Sequence, residues 1–263
     1  MKKIEVLYGE FGNMYGEIYN PLFLEKGTGE IELIFTGLND EPYFVNNEVD
    51  MVYMSYIRDR KVYDVIERLR PYKDSIRELI EGGGIFLITG NALEIFGAYI
   101  EEDGAKREAL GLFDYHIEKD FATKYACWVK GVFEIENEKR SGNEKENDNC
   151  NENGNSKRNS IEIIGHRNQF SKCHNIEQPF IKVTGGDGSD IKPLGNEGIR
   201  YKNFYATYLL GPFLIMNPLF AKYLLGLMGI EEMKFEDSAI QAYEHRMEYF
   251  HKPDARFIMD HYG

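Results

Sequence analysis

The run Ile85-Phe86-Leu87-Ile88, followed directly by Thr89-Gly90-Asn91, restricts the fold more than any other stretch. Four consecutive apolar side chains leave no polar face for solvent, so a strand made from them must be covered on both sides. Residues 3–8 (KIEVLY), 31–36 (IELIFT) and 49–55 (VDMVYMS) read as further strands. Between the third of these and the buried run, Val62, Val65, Ile66 and Leu69 fall at helical spacing. Ile76, Leu79 and Ile80 repeat that pattern after Pro71. Strands alternating with helices of this length need crossover connections. They predict an α/β layered fold with a mostly parallel central sheet and helices on both faces.

The second half is richer in strand-like runs (124–136, 161–165, 180–184 and 198–210) and ends in two helical patterns, 218–228 and about 235–250. Tyr243, Met247 and Phe250 would dock the last helix on the body or on a partner. Residues 137–160 break sharply from their surroundings, being mostly Asn, Glu, Lys, Ser and Gly, with Cys150 as the one apolar side chain. Nothing there offsets the entropy of ordering, so a disordered surface loop is expected, inserted as a hairpin excursion within a single domain spanning 1–263. Cys150 is then an exposed thiol without a chemical role.

Charge narrows the partners. Lys and Arg number 31 against 44 Asp and Glu, a net charge of −13. Phosphate backbones and anionic lipid surfaces attract concentrated positive charge, so neither nucleic acid nor a membrane surface is expected. The three cysteines follow no disulfide framework, and the start MKKIEV lacks the apolar core of a signal peptide; both point to the cytoplasm. Residues 207–229 are apolar enough to raise a membrane span, but Pro212, Asn217, Pro218 and Lys222 interrupt them, so strand, turn and helix are expected instead.

A buried strand, a tight turn and a helix make up the geometry of a nucleophile elbow, which exposes one side chain above the sheet where helix N-terminal amides stabilise an oxyanion. The apex calls for Ser or Cys. Here it is Gly90, with Thr89 before it.

Four ordered motifs make the chain resemble class I glutamine amidotransferases. The opening, residues 7–17 (LYGEFGNMYGE), resembles the family's LY-x-(D/E)-x-x-N-x-YG-(D/E) start. Residues 88–97 resemble its ICGGYQLLG elbow, and 109–115 (ALGLFDY) its GLGLLDY run. Residues 197–203 (EGIRYKN) with 207–212 (TYLLGP) resemble EGxxYKN followed by TYxHGP. The similarity is to the cobyric-acid-synthase-like (CobB/CobQ) branch, which includes the amidotransferase subunit of lipid II isoglutaminyl synthase. It implies a flavodoxin-like layered fold and a glutaminase in which a Cys thiolate attacks the glutamine side-chain amide while a His moves the proton. It also implies delivery of ammonia to an ATP-dependent, Mur-ligase-like partner, with glutamine as a small-molecule ligand. Carried across the motifs, the thiol position falls on Gly90 and the imidazole position on Leu210. Neither can perform the step, so the resemblance implies a non-catalytic binding, scaffold or regulatory subunit. The alternative is an active glutaminase rescued by another residue, Thr89 or Cys173.

The remaining candidates each carry a plainer reading. Thr89 offers a hydroxyl beside the apex, but no base is identifiable for it and a strand-end threonine bonding its own turn is simpler. Asn91 reads as an N-cap or turn residue, and Glu94 as either a pocket carboxylate or a solvated helix residue. Glu10, Asn13 and Glu17 would cluster where the chain leaves the first strand, with Asn13 as a helix N-cap. Cys127 reads as a packed small hydrophobe. His166, Cys173 and His174 match no zinc spacing, and the run Gly185-Gly186-Asp187-Gly188 lacks the Lys and helix of a phosphate loop. No cofactor or metal is expected.

Overall fold

Residues 1–135 and 160–257 are described by the computed structural model. Along the chain come β1 (Lys2–Leu7), α1 (Tyr19–Thr28), β2 (Ile31–Thr36), β3 (Met51–Met54), α2 (Val62–Leu69), α3 (Lys73–Glu81) and β4 (Ile85–Thr89). A 3-10 helix, Gly90–Phe96, leads into β5 (Tyr99–Glu102), β6 (Ala105–Glu108) and β7 (His116–Lys119). There follow β8 (Tyr125–Glu134), β9 (Ser160–Gln169), β10 (Ser171–His174) and β11 (Ile181–Gly185). The last stretch holds β12 (Asn196–Glu197), β13 (Ile199–Tyr201), β14 (Phe204–Thr207), β15 (Leu209–Leu210), α4 (Phe213–Met216), α5 (Pro218–Leu227) and α6 (Glu236–Phe250).

The six-stranded central sheet runs β13-β14-β4-β3-β1-β2, with every pairing parallel except the edge strand β13. Its strands split by period two into two cores. Ile4, Val6, Tyr53, Leu87 and Tyr205 point to one face. Leu7, Val52, Met54, Phe86, Ile88 and Phe204 point to the other. The first face is covered by side chains of α1, α5 and a five-stranded sheet, β12-β11-β8-β9-β15. Phe133 of β8 sits at the centre of that junction, its ring 5.1 to 5.8 Å from those of Phe180, Tyr205 and Phe220. The second face is covered by α2, α3 and a four-stranded sheet, β10-β7-β5-β6. Both faces of the buried strand are therefore filled, by sheets as well as helices.

Some elements escape the sequence pattern. Helix α1 contains Pro21 and Gly27, two poor helix formers, and every residue of β6 is exposed, so neither shows a clear period. The run expected at 198–210 is three strands. Lys202 at φ +49° turns β13 into β14, and the chain then leaves the central sheet for the five-stranded one after Thr207. The elbow leads into a 3-10 helix rather than an α-helix. The final helix docks on the body of this chain, with Tyr243, Met247 and Phe250 packed near Ile164, Trp128 and Phe257. No helix among the described residues is long and apolar enough to cross a membrane. The loop expected at 137–160, with Cys150, lies outside the described residues except for Ser160, which instead begins β9. Strands β8 and β9 pair antiparallel from Tyr125↔Gln169 to Glu134↔Ser160, the register a hairpin requires.

Candidate functional site

Strand order reverses beside β1: β2 lies on one side of it, β3 and β4 on the other. The crevice above such a reversal, at the carboxyl ends of the strands, is where doubly wound sheets take ligands. Here the loops leaving β1, β3 and β4 meet the turn after β15. Gly12 allows the approach, since a Cβ there would come within 2.6 Å of the Tyr56 carbonyl oxygen.

Gly90 opens the turn after β4 at φ +66°, where any side chain is strained. A Cβ built on it would lie 2.9 Å from Leu210 Cδ2 and 3.0 and 3.1 Å from Tyr56 Cβ and Cα. Positions 90 and 210 thus face each other across the elbow, with Tyr56 closing the third side, and all three residues are buried.

Beneath them sits a carboxylate that the sequence placed only loosely. Glu17 is fully buried. Thr89 Oγ1 donates to its Oε2 at 2.5 Å, Asn20 Nδ2 donates to the same oxygen at 3.3 Å, and the Gly211 amide donates to Oε1. Tyr53 donates its hydroxyl proton to the Glu17 carbonyl oxygen at 2.8 Å, and Asn20 Oδ1 accepts from the Leu214 amide at 2.7 Å. Among the described residues no cation pairs with Glu17. Burial therefore raises its pKa, against the opposing hydrogen bonds from Thr89, Gly211 and Tyr53. The structure thus supplies a basic group beside Thr89 where the sequence offered none. Both groups are fully enclosed, however, and Thr89 spends its proton on the carboxylate.

A second buried network lies on the helical side. Lys119, 2% exposed, pairs with Glu94 at 2.6 Å and with Asp59 at 3.3 Å. Burial pulls the Lys119 pKa down, but the two carboxylates outweigh it and hold it above the ordinary lysine value. Glu94 also accepts from Ser171 Oγ at 2.7 Å and from Tyr208 at 3.2 Å, so it is neither solvated nor open to the crevice. Asn91 does not cap the helix. It pins the loop after β3, accepting from the Ile57 amide at 2.8 Å and donating to the Ile57 carbonyl and to Asp59. The one sequence signal for Lys119 is its place in period two with Tyr115, Ile117 and Phe121, which sets a lysine on the apolar side of the strand HIEK.

The other candidates do not converge. Glu10 and Asn13 are exposed; Glu10 accepts from the Leu38 amide at 2.9 Å, and Asn13 reaches only the Ile18 amide, short of the helix that begins at Tyr19. Cys127 and Cys173 are buried, and burial pushes both thiols up. Cys173 and His174 are consecutive on β10 and point to opposite faces: the thiol into the core, the imidazole outward to Glu118 at 3.1 Å. They form no dyad. His166 stacks edge-on against Trp128. The glycine run after β11 is held by Arg167, whose guanidinium donates to the Asp187 and Gly188 carbonyls. No cluster of three or more His, Cys, Asp or Glu among the described residues could hold a metal.

Outside Tyr15 and Tyr56, a cleft of about 780 Å³ opens between the loops that follow β1, β3 and β7. Tyr15 packs edge-on against Tyr56, ring centroids 5.5 Å apart, and accepts from Asn168 at 3.0 Å, so the two rings form the wall between cleft and elbow.

The chain is glutamine-amidotransferase-like. In particular it is similar to subunits named GatD of glutamine-hydrolysing lipid II isoglutaminyl synthase. It is 25% identical to the Streptococcus pneumoniae subunit over 243 residues, 90% of this chain and 84% of the relative. It is 25% identical to the Staphylococcus aureus subunit over 216 residues, 81% of this chain and 78% of the relative. Its fold matches a chain in the structure of PurLQS from Thermotoga maritima at a TM-score of 0.51 and 12% identity, covering 92% of this chain and 99% of that one. No family model matches.

Two outcomes test the networks. Lys119→Met leaves Glu94 buried without a counter-charge and lowers unfolding free energy by about 3–5 kcal/mol; Lys119→Met with Glu94→Gln recovers part of it in the same urea titration. Glu17, whose folded pKa lies above its ordinary 4.5, stabilises most when protonated, and that contribution is lost as pH rises through the folded value. Glu17→Gln keeps the acceptor for Gly211 and carries no charge. Its melting temperature relative to wild type should therefore rise between about pH 4 and pH 8, and a gap independent of pH counts against a desolvated carboxylate.

Proposed function

We propose that this chain is a CobB/CobQ-type, GatD-like amidotransferase subunit that has lost glutamine hydrolysis. On this reading it is one domain, works in the cytoplasm, and serves as the non-catalytic binding, scaffold or regulatory partner of an ATP-dependent, Mur-ligase-like synthetase. The observation that carries the reading is the apposition of Gly90 and Leu210. The two positions that match the family's nucleophile and base lie against each other at a strained elbow, with Leu210 Cδ2 2.9 Å from where a Gly90 Cβ would stand. A glycine supplies no nucleophile and a leucine accepts no proton, so no acyl-enzyme can form there. Losing members of one catalytic unit costs orders of magnitude in rate, and the losses are not additive. Retention of the turn chemistry around the missing pair supports a kept scaffold: Gly12, Glu17, Thr89 and Gly211 still lock the elbow together. The subunit status of the GatD relatives supports a protein partner.

The second reading, an active glutaminase supplying ammonia, needs a nucleophile from outside the motif. Cys173 is buried in the core and Thr89 is enclosed with Glu17, so both lack a path to substrate. The purified chain, alone and with a Mur-ligase-like partner, should release no glutamate or ammonia from glutamine. Turnover abolished by Thr89→Ala or Cys173→Ala establishes the second reading instead. A complementary test rebuilds the pair. Gly90→Cys with Leu210→His should take covalent label from a glutamine-mimicking electrophile. Gly90→Cys alone, crowded by Leu210 and Tyr56, should be destabilised by about 1–3 kcal/mol. A folded double variant that takes no label shows that position 90 is not the apex.

A further inference from the structure

The cleft beside the elbow has a chemistry the glutaminase reading does not use. Phe121 and Phe170 contact each other at 5.5 Å on one side, Tyr15 and Tyr56 form the inner wall, and Arg58, Arg60 and Lys124 stand at the mouth. Phe121 is 47% exposed, a large ring left in solvent at the rim. Among the described residues Arg58, Arg60 and Lys124 have no ion-pair partner. The acids of the cleft are committed elsewhere: Asp59 to Lys119, Asn91 and Tyr56, and Glu102 to the Tyr63 hydroxyl at 2.8 Å. Lys61, also in the lining, is paired with Asp64. A chain of net charge −13 thus gathers three unpaired cations around one concavity.

We propose that this cleft binds a nucleotide-class ligand, a flat ring carrying two or more negative charges. Ring faces stack on exposed aromatic side chains, and guanidinium and ammonium groups donate charge-assisted hydrogen bonds to phosphate oxygens. At about 780 Å³ the space lies in the range that encloses drug-sized molecules and exceeds what a single amino acid fills. The wall of Tyr15 and Tyr56 separates the ligand from Gly90, so binding requires no chemistry at the elbow. A nucleotide held there lies beside the loops that follow β1 and β3, and its occupancy would be sensed by the Asp59–Lys119–Glu94 network beneath.

The test is calorimetric titration of the full chain at low ionic strength with ADP, adenosine and inorganic pyrophosphate as separate probes. The expected result is that ADP binds at least tenfold more tightly than either fragment. Arg58→Gln with Lys124→Gln should weaken ADP at least tenfold, and Phe121→Ala should weaken it while leaving pyrophosphate unchanged, because ring and charge are read by different side chains. Lys172→Gln, a cation outside the cleft paired with Glu118, should change nothing. Pyrophosphate binding as tightly as ADP means a plain anion site and overturns the proposal. So does an absence of ADP binding at millimolar concentration, or ADP binding that survives the paired Arg58 and Lys124 substitutions. These outcomes are independent of glutamine turnover, so the two readings fail separately.

Discussion

The upper end of the central sheet depends on one buried carboxylate. Glu17 comes from the loop after β1, yet it takes hydrogen bonds from Thr89 at the end of β4 and from the Gly211 amide after β15. Through Tyr53 and Asn20 it reaches β3 and the start of α4. An ionised group this deep is costly without a cation, and the donors Thr89, Asn20 and Gly211 offset that cost only if every loop keeps its place. The result is an elbow whose backbone is fixed from several directions whatever side chain stands at its apex.

The two networks divide the molecule along its layers. On the helical face, Lys119 joins the four-stranded sheet to the 3-10 helix through Glu94 and to the loop after β3 through Asp59. On the opposite face the junction is aromatic, with Phe133, Phe180, Tyr205 and Phe220 interlocked between the central and five-stranded sheets. Both faces are filled by apolar side chains; the ion-paired network of Lys119, Glu94 and Asp59 lies on the helical side, and the uncharged donors around Glu17 lie toward the other. At the crevice, directional hydrogen bonds and ion pairs add to this packing and fix the loops relative to one another.

Sequence and structure agree most closely where burial is uniform or strictly periodic. The all-apolar 85–88 run is the strand between β3 and β14, and Val62, Val65, Ile66 and Leu69 are the buried stripe of α2. Agreement fails where a residue's surroundings are assembled from distant segments. Glu94 looks like a solvated helix carboxylate because its neighbours in sequence say nothing of Lys119, Ser171 and Tyr208. Asn13 and Asn91 look like caps because capping is the commonest local use of asparagine, whereas Asn91 is spent on a loop more than thirty residues away.

The sequence by itself determined the alternating strands and helices and the double-sided burial of β4, because these follow from local periodicity and residue type. Only the tertiary structure decided that Leu210 stands where it would meet a Cβ on Gly90, that Glu17 rather than Glu10 or Asn13 stands beneath the elbow, and that Arg58, Arg60 and Lys124, without an ion-pair partner among the described residues, share a cleft with the exposed ring of Phe121. Those facts depend on which loops the parallel sheet brings to its carboxyl edge, and crossover topology joins segments that no local pattern connects.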